Sequence, residues 1–161
     1  MGYHQVEVHP DDREKTAFST PFGRFQYNVM PFGLATAPAT FMRLMTLVFS
    51  GMLYSTCLAY LYDIIIFGRS FEEHLSRLGN ALQHLRSANL KLKPKKCAFG
   101  KRSVSFLGHI VSHKGISNDP DKLKRIHKWP RPRNQNEVRS FLGYATYYRK
   151  FIKKFLKSPI R

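Results

Sequence analysis

Acidic side chains are scarce in this chain and unevenly placed. Ten Asp/Glu stand against 27 Lys/Arg in 161 residues, a formal net charge of +17. Residues 1–80 carry six Lys/Arg and seven Asp/Glu, whereas residues 81–161 carry twenty-one and three. The excess concentrates further toward the end, where positions 122–161 hold thirteen basic residues and one acid. An uncompensated field of this kind repels itself, so the C-terminal half is expected to present a contact surface for nucleic acid or an anionic membrane. A solvated basic face without a dedicated ligand is the plainer alternative.

Cysteine is equally sparse. Cys57 and Cys97 lie 40 residues apart with no CxxC or Cys/His pairing, which excludes a disulfide framework and a zinc site and fits a reducing compartment. Both are expected as core or half-buried thiols. Long apolar runs are nearly absent. Residues 44–62 lack charge over 19 positions, which approaches membrane-spanning length. They also include Thr46, Ser50, Gly51, Ser55, Thr56 and three tyrosines, so they read as a buried helix followed by a buried strand. The N-terminus is polar and shows no leader. No membrane contact and an intracellular location, cytoplasmic or nuclear, are therefore expected. The 43% hydrophobic and 14% aromatic content suffices for a core in one domain or one and a half small ones.

The periodicities predict an α+β order. RFQYNV (24–29) alternates as a half-buried strand. Pro31, Gly33 and Pro38 mark a loop. From Ala39, the positions Phe41, Leu44, Met45, Val48, Phe49 and Met52 keep helical spacing. CLAYLYDIIIF (57–67) reads as two short strands joined by a tight turn at the polar break of Asp63. Ser70 with Glu73 forms a capping box, ahead of a helical line through Phe71, Leu75, Leu78, Leu82 and Leu85. A basic loop follows (91–102), then a strand over 104–111 with Gly108 inside it, which marks a bulge or the close approach of another backbone or a ligand. Asn118-Asp119-Pro120 starts a short helix that Trp129-Pro130 ends. Asn134 with Glu137 caps a last helix lined by Val138, Phe141, Leu142, Ala145, Tyr148 and Ile152.

Taken in order, GYHQV (2–6), KTAFSTPFG (15–23), FQYNVMPFGLATAPATFMRLM (25–45), YLYDIIIFG (60–68), FLGHIVS (106–112) and VRSFLGYATYYRKFI (138–152) resemble the Gypsy-type retrotransposon reverse transcriptases. The resemblance implies a partial polymerase right hand, with an antiparallel palm sheet and packed helices followed by a small helical thumb. Residues 1–115 would be palm and fingers, and residues 116–161 the start of the thumb. It implies that Tyr3, Phe32 and Gly33 bind the incoming nucleotide, Tyr3 screening its 2′ position. It gives Phe106, Leu107, Gly108 and His109 the grip on the primer end, and Arg139, Arg149, Lys150, Lys153 and Lys154 the nucleic-acid backbone. The implied partner is an RNA or DNA template-primer. Ordinary core packing is the competing reading for Tyr3, Phe32 and the strand residues.

The family transfers nucleotides with two divalent ions, Mg²⁺ as a rule, held by three aspartates. One lies a few residues before the GYHQ segment and two are adjacent in a Tyr-x-Asp-Asp turn. Here the turn reads Tyr60-Leu61-Tyr62-Asp63, so Tyr62 replaces a catalytic aspartate and Asp63 alone remains as catalytic and metal-binding carboxylate. A neutral phenol with a pKa near 10 is a poor Mg²⁺ ligand. The first aspartate would fall upstream of Met1. Impaired Mg²⁺ binding and no polymerisation are expected, with Tyr62→Asp insufficient for rescue unless an N-terminal extension accompanies it. No ribonuclease H, integrase or protease segment follows Arg161, so a cropped or degraded reading frame is expected. A missing palm strand would favour aggregation or a partner chain that supplies it. Three functions compete: an active enzyme completed in trans, a catalytically silent nucleic-acid-binding module, and a retroelement remnant.

Overall fold

The first helix of any length, α2 (Ala37–Val48), begins two residues before the expected Ala39 in the computed structural model, which describes residues 2–151. Pro38 is not a loop residue but sits in the first turn of α2, where its missing N–H leaves no hydrogen bond unmade. Phe41 and Met45 bury one face, and Phe49 and Met52 continue it past the helix end. With Tyr3, Met30, Ala37, Cys57, Ala81 and Leu85 they form the core of the first of two compact units, Met1–Cys97. Full burial of a Phe or Met side chain stabilises by roughly 1.5–3 kcal/mol, so α2 is the main anchor of this unit.

Around it lie two antiparallel hairpins. β1 (Phe18–Thr20) pairs with β2 (Gly23–Phe25), and β3 (Cys57–Tyr60) with β4 (Asp63–Ile66). The strand expected over 24–29 is cut short after Phe25, because the Tyr27 N–H bonds the Thr16 hydroxyl at 2.9 Å instead of a strand partner. Phe25 and Tyr27 are exposed rather than half-buried. Downstream, Val29 bridges Glu7, with Val8 N–H to Asn28 O at 3.0 Å and Met30 N–H to Val6 O at 2.8 Å. The acids Glu7 to Glu14 follow a 3-10 turn, Tyr3–Gln5, and occupy the single-turn helix α1 (Pro10–Arg13) and its flanks.

α3 (Phe71–Ser87) starts as the capping box predicts. The Ser70 hydroxyl accepts from Glu73 N–H, while the Glu73 carboxylate reaches back to Arg69 N–H. Of the expected line, Leu85 is buried and Leu78 half-buried, joined by Ala81 from outside it, whereas Phe71, Leu75 and Leu82 are exposed. His84 closes the α2 end by hydrogen bonding Val48 O at 2.7 Å through Nδ1. Of the cysteines, Cys57 is buried, its thiol pushed up by burial, and Cys97 is half-buried.

The second unit, Ala98–Arg161, carries the three-stranded antiparallel sheet β5 (Ser103–Phe106), β6 (His109–Ser112) and β7 (Gly115–Asn118). The single strand expected over 104–111 is thus a hairpin. Leu107 and Gly108 both take positive φ, 49° and 74°, the backbone of the two-residue turn that suits strand twist. α4 (Pro120–His127) is capped by Asp119, and α5 (Gln135–Tyr147) by Asn134, whose Oδ1 accepts from Glu137 N–H at 2.9 Å. On α5 the buried positions are Ala145 and, just past its end, Tyr148; Val138 and Leu142 are exposed. Among the described residues no helix is long and apolar enough to cross a membrane, and residues 44–62 divide between α2 and β3 as expected.

Candidate active site and nucleic-acid interface

The β3–β4 turn is held by its neighbours rather than by turn-forming residues. Leu61 carries a positive φ of 51°, a conformation that costs a residue with a Cβ about 1–2 kcal/mol. Its N–H points at Met42 Sδ of α2, 2.9 Å away. The next residue, Tyr62, lays its ring into an aromatic cluster. The ring centroids are 5.0 Å from Tyr3 and 5.2 Å from Phe41, and Tyr3 in turn contacts Phe41 at 5.6 Å and Phe32 at 5.3 Å. All lie in the range where tilted aromatic pairs attract. A Cβ on Gly2 would sit 2.4 Å from Cδ1 and Cε1 of Tyr62, so the ring covers the Gly2 backbone.

These contacts set the electrostatics of the turn. Desolvation of the Tyr62 ring, then the Tyr3 hydroxyl beside it, holds the Tyr62 phenol well above its ordinary range. It is therefore a neutral hydroxyl on a ring packed against rings. Asp63, paired with Tyr60 across the hairpin, is exposed. Among the described residues no group of three His, Cys, Asp or Glu side chains is placed to hold a metal ion. At the turn itself Asp63 is the one carboxylate, and with an aromatic ring beside it the turn offers few hard oxygen ligands to a metal ion.

Of the residues that the resemblance singles out, Tyr3, Phe32 and Tyr62 share one aromatic cluster, with Asp63 next to Tyr62 in the chain. Tyr3 is buried and Phe32 is 55% exposed. Gly33 follows Phe32 with φ 94° and open space where a Cβ would point. Reading by pattern missed Gly2 and Met42, whose roles depend on residues 60 and 19 positions away that they meet only in the folded chain.

In the second unit, the β5–β6 turn meets the end of α5. The Tyr147 hydroxyl donates to Leu107 O at 2.5 Å and the Tyr148 hydroxyl to Gly108 O at 3.4 Å. His109 stacks on Tyr147 with centroids 5.3 Å apart and planes 8° from parallel, and meets Tyr148 and Phe151 edge-on or tilted at 5.6 Å. Phe106, opposite His109, closes the hairpin. His109 Nδ1 and Asn118 Oδ1, on directly opposite residues of β6 and β7, are enclosed with no hydrogen-bond partner among the described residues. Tyr148 is buried, which pushes its phenol up, helped by Tyr144 and Tyr147. The aromatic column continues through Tyr144 to Trp129 and Phe141. Gly108 lies in the turn and not inside a strand, and what approaches it is not another backbone but the Tyr147 and Tyr148 side chains; Tyr147, outside the helical stripe, was the contact that pattern alone did not reveal. Arg139, Arg149 and Lys150 are exposed, and among the described residues none has an ion-pair partner. Lys153 and Lys154 lie outside the described residues, as does Ile152.

Comparison with known proteins matches this arrangement to a family. Residues 1–111 fit the model of the reverse transcriptase (RNA-dependent DNA polymerase) family. The chain is 47% identical over 154 residues to the retrovirus-related Pol polyprotein from transposon 297 of Drosophila melanogaster, covering 96% of this chain and 14% of that protein. It is 41% identical to the Pol polyprotein from transposon gypsy of the same fly, over 96% of this chain and 15% of the relative. The chain therefore spans about one seventh of the length of these relatives. Among solved structures, the foamy viral protease-reverse transcriptase in complex with RNA/DNA hybrid superposes with a TM-score of 0.82 at 24% identity, over 97% of this chain and 21% of that one. A form of that protein in complex with ds DNA gives 0.88 at 24% identity, over 97% and 27%. At this identity the likeness shows the fold, a partial polymerase palm of α+β class. The chain belongs to the reverse transcriptase (RNA-dependent DNA polymerase) family, and within it to the Gypsy type.

Proposed function

We propose that this chain is a reverse transcriptase palm segment that binds a template-primer but does not extend it. The observation that carries the reading is the Tyr62 ring, packed on Tyr3, Phe41 and the Gly2 backbone at the hairpin turn beside Asp63. Reverse transcriptases work with divalent metal ions, which stabilise the attacking and leaving oxygens of nucleotidyl transfer. On this reading Tyr62 excludes such an ion, and Asp63 is the residual catalytic carboxylate. Losing that stabilisation raises the barrier by several kcal/mol, and each ~1.4 kcal/mol is a tenfold loss in rate.

The remaining parts support binding. Tyr3, Phe32 and Gly33 are assigned to the nucleotide pocket. The stacked His109 and the Phe106–Gly108 turn are assigned to the primer end, which the α5 tyrosines fix in place. Arg139, Arg149 and Lys150 are assigned to the phosphate backbone. The foamy viral relative is known in complex with RNA/DNA hybrid and with ds DNA, which favours the same ligands here. A division into palm and fingers over 1–115 and thumb over 116–161 fits these roles. Lodging of the chain in a larger Pol assembly, or beside a partner chain, belongs to the same proposal.

The test is a pair of assays on one labelled RNA/DNA primer-template. The chain is expected to bind it with an affinity that falls steeply with salt, as phosphate contacts release counterions. It is expected to add no nucleotide to the primer in Mg²⁺. Primer extension by the unaltered chain contradicts the silent site, and binding indifferent to salt contradicts the nucleic-acid contact.

A further inference from the structure

A second basic surface lies outside all the residues assigned so far. Lys91, Lys93, Lys95 and Lys96 place four positive charges within six positions, and the nearest acidic residue in sequence is Glu73. All four are exposed. Among the described residues none has a carboxylate within ion-pair distance, although Lys15, Arg77 and Lys124 do.

The backbone that presents them is ordered without help from their side chains. The Gln5 side-chain amide grips Lys91 at both ends: Lys91 N–H donates to Gln5 Oε1 at 2.6 Å and Gln5 Nε2 donates to Lys91 O at 3.3 Å. Pro94–Lys96 then forms a 3-10 turn, with Lys96 N–H to Lys93 O and Cys97 N–H to Pro94 O, each at 2.9 Å. Proline fixes φ at the turn and lowers the entropy lost on ordering it. The result is an ordered stretch of backbone that carries four exposed lysines. It is tied to the Tyr3–Gln5 turn, the segment that carries the assigned nucleotide-pocket tyrosine.

Uncompensated like charges on an ordered backbone repel one another, and a polyanion is the partner that relieves this. Lysine is a point charge on a long, freely rotating stem, which suits phosphate contact without base readout. From this we infer that Lys91, Lys93, Lys95 and Lys96 form a sequence-independent contact for the phosphate backbone of the bound nucleic acid, separate from Arg139, Arg149 and Lys150. The inference rests on the template-primer reading above, and it adds a contact in the first unit to those assigned in the second.

The experiment is fluorescence anisotropy of a labelled RNA/DNA hybrid titrated with the full chain at a series of KCl concentrations. Three chains are compared: unaltered, the quadruple Lys91→Gln/Lys93→Gln/Lys95→Gln/Lys96→Gln, and the triple Arg139→Gln/Arg149→Gln/Lys150→Gln. Far-UV circular dichroism melts confirm that each is folded. Each lost phosphate contact lowers the slope of log affinity against log salt by about 0.9 for duplex. The quadruple variant is expected to lose roughly two to four units of slope, with the triple variant losing its own share independently. A quadruple variant with unaltered slope, beside a triple variant with reduced slope, overturns the lysine contact and leaves the template-primer reading standing. An unaltered chain with no salt-dependent binding overturns both. Equal weakening of hybrid and of an acidic polypeptide such as polyglutamate by the quadruple variant assigns the four lysines to acidic partners in general and likewise overturns the proposal.

Discussion

Tyr62 lies across the backbone of Gly2, so closely that a Cβ there would stand 2.4 Å from two of its ring carbons and 3.2 Å from Cζ of Phe41. The two residues are 60 positions apart, yet the absence of a side chain on one is the space the other fills. The Tyr62 ring, though 46% exposed, is therefore partly built into the packing of the unit and does not hang free from the turn.

This contact makes Gly2 intolerant. Gly2→Ala is expected to destabilise the chain by about 1–3 kcal/mol, the usual cost of overpacking. In a Tyr62→Ala background the same change should cost much less, because the ring is gone. A thermal-melt double-mutant cycle reads the difference as a coupling energy. Equal costs in both backgrounds would mean that the ring yields without strain.

The hairpin clamp gives a second expectation. Tyr147→Phe removes the hydroxyl that donates to Leu107 O, and should cost about 0.5–1.5 kcal/mol. Gly108→Ala should cost more, ~1–3 kcal/mol, since it adds a Cβ at φ 74° and 3.1 Å from the Tyr148 hydroxyl. Leu107→Asn moves the other way, because Asn-Gly suits two positive φ angles. Its melting temperature should rise by a few degrees, while hybrid affinity should fall if Leu107 contacts the primer. Urea melts and hybrid titrations on the three variants check this order.

Alkaline pH should unfold the protein through its tyrosines. Tyr62 and Tyr148 are both raised above their ordinary value by burial and by neighbouring phenols. The folded state thus prefers the neutral form. The stability this supplies is complete below the unfolded pKa near 10 and is lost as pH rises through the folded values. Melting temperature is expected to hold to about pH 10 and then fall. Tyr62→Phe and Tyr148→Phe should each flatten the fall, and absorbance at 295 nm should show late-ionising phenols in the unaltered chain.

Legibility followed locality. The β3–β4 hairpin was readable because β-branched and aromatic residues flank its turn, and the caps Ser70 and Asn134 because each stands three residues before a glutamate. The β5–β6 hairpin was hidden: Leu107-Gly108 lacks the polar first residue that signals such a turn, and its flanks form one apolar run. Alternation in 24–29 was real but misleading, since Thr16 takes the hydrogen bond a strand partner would need. On α3, burial follows Leu78, Ala81 and Leu85 while Leu75 and Leu82 stay exposed, so periodicity found the helix but only part of its buried face. In the candidate site, Tyr3, Phe32 and Asp63 were identified through resemblance. Gly2, Met42 and Tyr147 were not, because their importance comes from contacts far along the chain.

The proposed silent site requires that Tyr62 deny the hairpin a divalent ion. Mn²⁺ titration by isothermal calorimetry, on the unaltered chain, on Tyr62→Asp and on Tyr62→Asp/Asp63→Asn, measures this directly, with circular dichroism confirming that each chain is folded. The expected result is no Mn²⁺ site in the unaltered chain, a new site in Tyr62→Asp, and its loss in the double variant. An unaltered chain that binds Mn²⁺ as tightly as Tyr62→Asp, and loses it on Asp63→Asn, would contradict the account.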